Sequence, residues 1–351
     1  MMPVSYASPF MFLQAINVGL ATVLAIAISV SGKPNGLLAQ NVIDAPLLTQ
    51  KIGTNHTIKV DINGQGDFTS IQEAVNAVPD NNSNWIIIHV RKGVYREKVR
   101  IPKEKPYIFM RGNGKGRTHL LWSMSSVDNY ASATFIVESP HFIAFGISFK
   151  NEAPTGEAFT SQNQSVAAFV GADKVAFYHC AFYSTHNTLF DYKGRHYYDS
   201  CYVQGSIDFI FGRARSIFHS CELFVIADMR VKILGSITAH NRESDDDSGF
   251  VFVKGKVYGV GHVFLGRAKG AYSRTVFANT YLSNAIAPQG WTNWSYIGST
   301  ENIFQAEYKC QGPGAYPANR AKWAKQLTDE EAQQFLSIDF IDGQEWLPVW
   351  L

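Results

Sequence analysis

The segment VAFYHCAFY, which begins at Val175, returns as HYYDSCYVQ from His196 and as SIFHSCELF from Ser216. Each copy alternates aromatic or aliphatic residues around one cysteine, and these are Cys180, Cys201 and Cys221. The separations of 21 and 20 residues are close to one coil of a parallel β-solenoid, whose repeat of about 20 to 29 residues forms short strands and turns. We therefore predict an all-β fold of stacked coils.

Polar residues lie between these copies, at His186, Asn187 and Thr188 and again at Asp208, which begins the run DFIFG. On stacked coils, residues at the same outward position become neighbours. A carboxylate on one coil and a polar group on the previous coil can then converge on one substrate. We predict the functional site in these segments.

The composition is that of a folded protein with a large core. The 351 residues are 46% hydrophobic and 17% charged, which favours one extended domain over disorder. The formal net charge of +2 is too small for a nucleic-acid-binding protein. Basic residues are concentrated between Arg91 and Arg117, where they indicate either a surface that faces a polyanion or an ordinary solvated face.

The amino terminus predicts export. Residues 1–32 carry no charged side chain, and Leu20 to Val30 form an apolar run with the length of a signal-peptide core. A basic segment before this run is missing, so a membrane anchor is the alternative. We expect a signal peptide over about residues 1–31, a leader over 32–50 and the folded domain over 51–351.

Glycosylation and disulfide formation would both fit a secreted protein. N-x-Ser/Thr sequons occur at Asn55, Asn81, Asn163 and Asn293. Cys201 and Cys221 occupy matching places on successive coils and are predicted to pair in an oxidising compartment. Cys180 is equally well placed, so the choice of pair stays open. Cys310 is predicted to be a buried free thiol.

Helices are predicted at both ends of the solenoid. Thr69 and Gln72 form a capping-box pattern ahead of an apolar stripe, and Pro79 ends that helix, which would close the first coil. Thr328 and Glu331 form a second capping box that opens TDEEAQQFL. The tryptophan-rich tail after it is expected to pack along the solenoid.

Further motifs follow one another along the chain. They are GVYREKV from Gly93, QSVAA from Gln164, GSIDFIFG from Gly205, ITAHNR from Ile237 and FLGRAKGAYSR from Phe264. From about Val60 to the C-terminus, the chain resembles the pectinesterases, which hydrolyse the methyl esters of polygalacturonate in the plant cell wall. The resemblance implies a right-handed parallel β-helix, pectin as substrate and no metal or organic cofactor. It also implies pectinesterase inhibitor proteins as partners, and we expect a monomer.

The resemblance assigns roles to three residues. Asp208 matches the nucleophilic aspartate, Arg267 the arginine that hydrogen-bonds this carboxylate, and Gln164 the first oxyanion donor and substrate contact. In such chemistry the carboxylate attacks the ester carbonyl while donors hold the oxyanion. An acid protonates the departing methanol and then returns as the base for water.

Three positions depart from the family. The motif Gln-Asp-Thr-Leu is replaced by the segment from His186 to Leu189, so the second oxyanion donor becomes His186 and the general acid/base becomes Asn187. Asn187 cannot donate a proton at any accessible pH. Lys269 stands where the family has a tryptophan that stacks on the sugar. Because general acid/base catalysis contributes roughly 10² to 10⁴ in rate, its loss would slow the enzyme severely.

These departures leave two main hypotheses. The first is a secreted pectinesterase, in which protonated His186 serves as a replacement donor if its segment is a turn. The second is a pectin-binding relative that is weakened or silent. A third class, a pectate lyase, shares the solenoid but would require calcium and an arginine base, and the order of the motifs disfavours it.

Overall fold

The three sequence copies stack on one another in parallel register. In the computed structural model, Val175 lies opposite His196, and His196 lies opposite Ser216. The coil repeat predicted from the cysteine spacing is therefore confirmed. The structure describes residues 43–154, 164–228, 234–294 and 296–351, and one folded unit extends from Ile43 to Leu351. The predicted signal peptide and the sequon residue Asn163 lie outside the described residues.

Three sheets of parallel strands form the faces of a parallel β-helix. In spatial order, the first sheet contains Thr57–Val60 (β1), Ile86–Val90 (β2), Ile108–Arg111 (β5), Phe142–Phe145 (β8), Val175–Tyr178 (β11), Arg195–Asp199 (β14), Arg215–His219 (β17), Gly249–Val253 (β20), Arg274–Ala278 (β23), Phe304–Tyr308 (β26) and Lys325–Gln326 (β27). The second sheet contains Gly93–Arg96 (β3), Thr118–Trp122 (β6), Ser148–Asn151 (β9), Ala181–Tyr183 (β12), Tyr202–Gly205 (β15), Glu222–Val225 (β18), Lys256–Gly259 (β21) and Tyr281–Leu282 (β24). The third sheet contains Val99–Ile101 (β4), Phe135–Val137 (β7), Ala168–Val170 (β10), Leu189–Asp191 (β13), Ile210–Gly212 (β16), Gly235–His240 (β19), Val263–Ala268 (β22) and Trp291–Thr292 (β25).

Helices are short in the described part of the chain. The α-helices are Ala45–Ile52 (α1), Ile71–Ala77 (α2), Asn129–Ser132 (α3) and Asp329–Leu336 (α4). The 3₁₀ helices are Pro313–Ala315, Pro317–Asn319, Ile338–Ile341 and Gly343–Glu345. None of these helices is long and apolar enough to cross a membrane.

A ladder of stacked rings fills part of the interior. Its members are Phe177, Tyr198, Phe218, Phe252 and Phe277, with successive ring centroids 5.3, 4.4, 4.6 and 4.4 Å apart. The ring planes in each step lie within 13° of parallel. This follows from the register, because parallel strands about 4.7–4.9 Å apart place equivalent side chains in line. The repeated aromatic positions of the sequence thus build a continuous core.

The predicted disulfide between Cys201 and Cys221 is wrong, because all four cysteines are free. Parallel strands hold matching residues about 4.7–4.9 Å apart with their side chains aligned. A disulfide requires Cβ atoms about 3.8 Å apart and turned towards each other. The Sγ atoms instead contact carbonyl oxygens of neighbouring coils, with Cys201 3.4 Å from Phe177 O and Cys221 3.5 Å from Tyr198 O. Cys310 is a free thiol, as predicted, but it is only partly buried.

Helix α2 closes the first coil, but its cap differs from the predicted one. Ser70, not Thr69, is the N-cap residue, and its Oγ accepts a hydrogen bond from the Glu73 amide at 3.2 Å. The carboxylate of Glu97 accepts from the first two amides of the helix at 2.7 and 3.0 Å. An anion suits a helix N-terminus because it satisfies donors that lack a partner within the helix.

The first sheet is covered on its outer face by both ends of the described chain. The Thr328 and Glu331 capping box is present at the start of α4, as predicted. Beyond α4, the tail packs on this sheet, where the Tyr178 hydroxyl donates to Val349 O at 2.8 Å. The predicted leader over 32–50 is wrong in its last part, since α1 begins at Ala45 and buries Leu48. The Asp44 cap and the burial of Leu48 thus make the end of this leader part of the folded unit.

Candidate active site

Asn187 and Asp208 occupy equivalent places on successive coils, two residues before β13 and β16. Leu189 pairs with Ile210, so the two polar residues lie one above the other. Both adopt the left-handed backbone conformation, with φ of 54° and 43°. Asparagine and aspartate tolerate this conformation better than most residues. A sharp bend on each coil therefore presents the two side chains at the outside of the third sheet.

The carboxylate of Asp208 is held by two neighbouring coils. Ser236 Oγ donates to Oδ1 at 2.6 Å. Arg267 Nε lies 2.9 Å from both carboxylate oxygens, and its Nη2 donates to Oδ2 at 2.7 Å. The two charged side chains are each only 11% exposed. Charge-assisted, forked hydrogen bonds of this kind fix the orientation of a carboxylate more firmly than a single contact.

The residues predicted for the site meet in one cleft of about 230 Å³. Its lining consists of Val127, Asn129, Gln164, His186, Asn187, Ile207, Asp208, Arg267, Lys269 and Trp294. All six predicted catalytic and substrate-binding residues are in this set. The chain thus brings together side chains that lie about 100 positions apart in sequence, from Gln164 to Lys269.

His186 lies beside Asn187 in the same bend and lines the same cleft. Its Nε2 donates to Asp228 Oδ2 at 2.6 Å, and the two side chains are 6% and 5% exposed. Adjacent residues of a regular strand point to opposite faces, but the left-handed conformation of Asn187 makes this segment a bend, which is the condition set for a role of His186. Asn187 itself donates through Nδ2 to Asn129 Oδ1 at 3.2 Å.

Sequence reasoning missed Asp228, Ser236 and Trp294. Trp294 lines the cleft, and the guanidinium carbon of Arg267 lies 5.1 Å from its ring centroid. An indole is therefore present in the cleft, although Lys269 replaces the tryptophan expected from the resemblance. No local motif marks these residues. Only the coil register could have indicated Ser236, which lies opposite Asp208 on the next coil.

The electrostatic surroundings of Lys269 differ from those of an ordinary surface lysine. Its Nζ lies 5.7 Å from the ring centroid of Phe211. The walls of the cleft partly desolvate its ammonium group and lower the pKa of Lys269 below its usual range. Asp208 opposes this shift, and Arg267 adds to it. Within the described ranges, no cluster of three or more His, Cys, Asp or Glu residues could hold a metal ion.

Comparison with known proteins identifies relatives over most of the chain. The family model "Pectinesterase" matches residues 57–344. "Probable pectinesterase 67" of Arabidopsis thaliana is 66% identical over 327 residues, which cover 93% of this chain and 95% of that protein. "Pectinesterase QRT1" of the same plant is 40% identical, with 83% and 78% covered. The solved structure of pectin methylesterase from carrot superposes with a TM-score of 0.77 at 30% identity, covering 84% of this chain and 95% of that one.

Proposed function

Because the chain belongs to the pectinesterase family of carboxylic ester hydrolases, we propose that it hydrolyses the methyl esters of pectin with Asp208 as nucleophile. The observation that carries this assignment is the carboxylate held by Ser236 and Arg267 in the cleft. Membership of the family favours an active enzyme over the alternative of a silent pectin-binding protein. The substrate is pectin, and the identity of the reacting residues is the proposal.

In the first half of the reaction, an oxygen of Asp208 bonds to the ester carbonyl carbon of a galacturonate methyl ester. The carbonyl oxygen becomes an oxyanion, for which Gln164 is the proposed donor. Collapse of this intermediate breaks the bond to the methoxy oxygen. Methanol departs with a proton from an acid, which leaves an anhydride between Asp208 and the uronate carboxyl group.

In the second half, water attacks the anhydride and loses a proton to the same group, now acting as base. The products are free galacturonate and the regenerated Asp208 carboxylate. Arg267 and Ser236 remain bonded to the aspartate side chain and keep it in position for the next turnover. The cycle consumes one water and releases one methanol, and it requires no cofactor.

His186 is the proposed acid/base, since Asn187 has no proton to give. The imidazole lines the cleft, and the Asp228 carboxylate fixes one of its ring nitrogens. A histidine oriented by a carboxylate is a common general acid and base in hydrolases. Arg267 is too basic to release a proton under ordinary conditions. The pair of His186 and Asp228 therefore supplies the function that the family places at position 187.

The cellular setting is part of the proposal. Residues 1–31 are proposed to direct secretion to the cell wall, where pectin lies. The sequon residues Asn55, Asn81 and Asn293 are exposed and therefore accessible to glycosylation. Asn163 adjoins Gln164, so a glycan there would lie beside the substrate contact. The protein is further proposed to be a monomer and to be bound by pectinesterase inhibitor proteins.

The test is methanol release from highly methylated pectin by the purified protein and its Asp208→Asn variant. Loss of the nucleophile is expected to reduce kcat by roughly 10³-fold or more. Asp247→Asn is the matched control, because Asp247 is exposed and lies outside the cleft. Equal turnover by the native protein and the Asp208 variant would remove the assignment. Thermal unfolding of both variants checks that a loss of activity is not a loss of fold.

A further inference from the structure

A buried asparagine connects the chain segments along one side of the catalytic cleft. Asn151 ends β9, is only 3% exposed and is not among the residues that line the cleft. Its side chain nevertheless contacts three separate segments: the loop after β6, helix α3 and the segment that begins at Gln164. Two of these segments supply residues of the cleft, Asn129 from α3 and Gln164 itself. A residue outside the cleft therefore joins parts of its wall.

The surroundings of the Asn151 side chain use both ends of its amide group. Nδ2 faces three carbonyl oxygens, those of Met124 at 2.8 Å, Ser132 at 2.9 Å and Val166 at 3.1 Å. Oδ1 accepts from the backbone amides of Met124 and Ala153 at 3.2 and 3.1 Å. An asparagine amide supplies two N–H donors and an acceptor, whereas an ionised carboxylate of the same shape supplies acceptors alone. The contacts of this site therefore require an amide.

The backbone around Gln164 is held from two sides. Gln164 exchanges two backbone hydrogen bonds with Ser126, at 2.8 and 3.0 Å, and Ser126 lies two residues after Met124 in the loop that follows β6. Two residues beyond Gln164, the amide of Val166 donates to Ser132 Oγ at 3.1 Å. Both supports of Gln164 thus involve residues whose carbonyl groups accept from the same side-chain amide.

We propose that Asn151 is a positioning residue for catalysis, which fixes the backbone of Gln164 so that its side chain can donate to the oxyanion. The inference rests on the proposed function, in which Gln164 is the oxyanion donor. A donor stabilises developing charge best when it is already in place and no reorganisation is needed during the reaction. A misplacement of about 1 Å can cost roughly 10²-fold in rate, even when the altered residue lies away from the chemistry.

The first variant is Asn151→Asp, which keeps the shape of the side chain and replaces the Nδ2 donors with an oxygen. Methanol release from methylated pectin, measured well below the unfolding temperature, is expected to show kcat lowered by about 10²-fold. KM is expected to stay nearly unchanged, because the lost interaction belongs to the transition state. Gln305→Glu is the matched control, since Gln305 is a buried amide outside the cleft. It is expected to lower thermal stability and to leave kcat unchanged.

A double-mutant cycle separates a positioning role from a general loss of structure. Gln164→Met removes the side-chain donor and keeps most of the side-chain length. If Asn151 acts through Gln164, Asn151→Asp is expected to lower kcat by less than about twofold in the Gln164→Met background, whereas independent effects would multiply. A full 10²-fold decrease in that background would overturn the proposal.

Backbone hydrogen exchange tests the support of Gln164 without any catalysis. Asn151→Asp is expected to speed exchange in peptides that contain Met124 and Val166, whose amides donate within this network. Ser132→Ala removes a single hydroxyl of the network and is expected to give the same pattern more weakly, at a smaller cost in stability. Unchanged exchange in both variants would overturn the proposal. Faster exchange in these peptides, for a protein that releases no methanol from any pectin, would support the structural role of Asn151 and overturn the proposed function.

Discussion

At the residue scale, Asn187 stands where the resemblance implies a general acid/base, so the proposed proton donor of this site is a different group, His186. Asn187 and Asp208 share a left-handed conformation and stack on successive coils, so the backbone accepts either residue at both places. The difference between an amide and a carboxyl group is therefore chemical and not structural. His186 lies in the same bend and is anchored by Asp228, a contact that the sequence alone does not suggest.

If His186 is the proton donor, a carboxyl group at position 187 should restore the activity that is lost when His186 is removed. His186→Ala is expected to lower kcat by roughly 10² to 10⁴, the usual contribution of a general acid/base. Asn187→Asp in the same chain is expected to restore a large part of this loss, because it returns a proton donor to the position next to Asp208. Methanol release by the single and double variants over a pH series measures both effects. Unchanged turnover in His186→Ala would show that the imidazole takes no part in proton transfer.

The residue scale also shows how much of the site can be predicted from sequence. Gln164, Asp208 and Arg267 stand in recognisable motifs, so the sequence alone suffices to propose them as site residues, and all three line the cleft. Asp228 and Trp294 stand outside those motifs and reach the cleft only through the path of the coils. Such residues belong to the site because their coils are in contact, and their positions in the sequence do not indicate this.

At the scale of elements, the cysteines show where coil geometry overrides residue chemistry. Their spacing correctly predicted the strand register, but Cys201 and Cys221 remain free thiols within it. Burial raises the pKa of Cys180 and Cys201 well above the usual value for a thiol. The repeat predicted the strands, but helix α1 lies outside the repeat. Its only sequence features are the N-cap residue Asp44 and the buried Leu48, so it was not predicted.

A thiol titration tests this conclusion. The protein unfolded in denaturant without reductant is expected to expose four thiols, since the chain has four cysteines and all are free. The native protein is expected to react slowly, because Cys180, Cys201 and Cys221 are buried and burial raises the pKa of Cys310 to about 11. Reaction with an aromatic disulfide reagent measures both. A count of two in the unfolded protein would mean that one disulfide had formed.

At the scale of the whole molecule, two buried histidines give the fold opposite dependences on pH. Burial lowers the pKa of His196, but the Asp191 carboxylate 2.6 Å from its Nδ1 more than offsets this, and the net shift is upward. Burial lowers the pKa of His240 to about 3, and the charge of Arg242 contributes to the decrease. The fold therefore favours the protonated form of His196 and the neutral form of His240.

Proton linkage determines whether each histidine stabilises the fold more at low or at high pH. For His196, the unfolded chain releases its proton near pH 6.5, so the stabilisation is complete below that pH and is lost as the pH rises through the folded pKa. For His240, the stabilisation is complete above pH 6.5 and is lost as the pH falls towards 3. The two contributions therefore oppose each other: the stabilisation from His240 declines below pH 6.5, and the stabilisation from His196 declines above it.

His240→Gln is therefore expected to flatten the acid side of the stability curve. His240 Nδ1 accepts from the Arg274 amide at 3.2 Å, and Nε2 donates to Ala214 O at 3.3 Å, so the neutral ring is the form that the fold holds. Its linkage accounts for about 2 kcal/mol of lost stability between pH 7 and pH 5. Urea unfolding at both pH values measures the slope, which is independent of the packing cost of the substitution. His196→Gln is the opposite control, because it is expected to flatten the alkaline side. If His240→Gln retained the native acid slope, protonation of this ring would not be what destabilises the fold in acid.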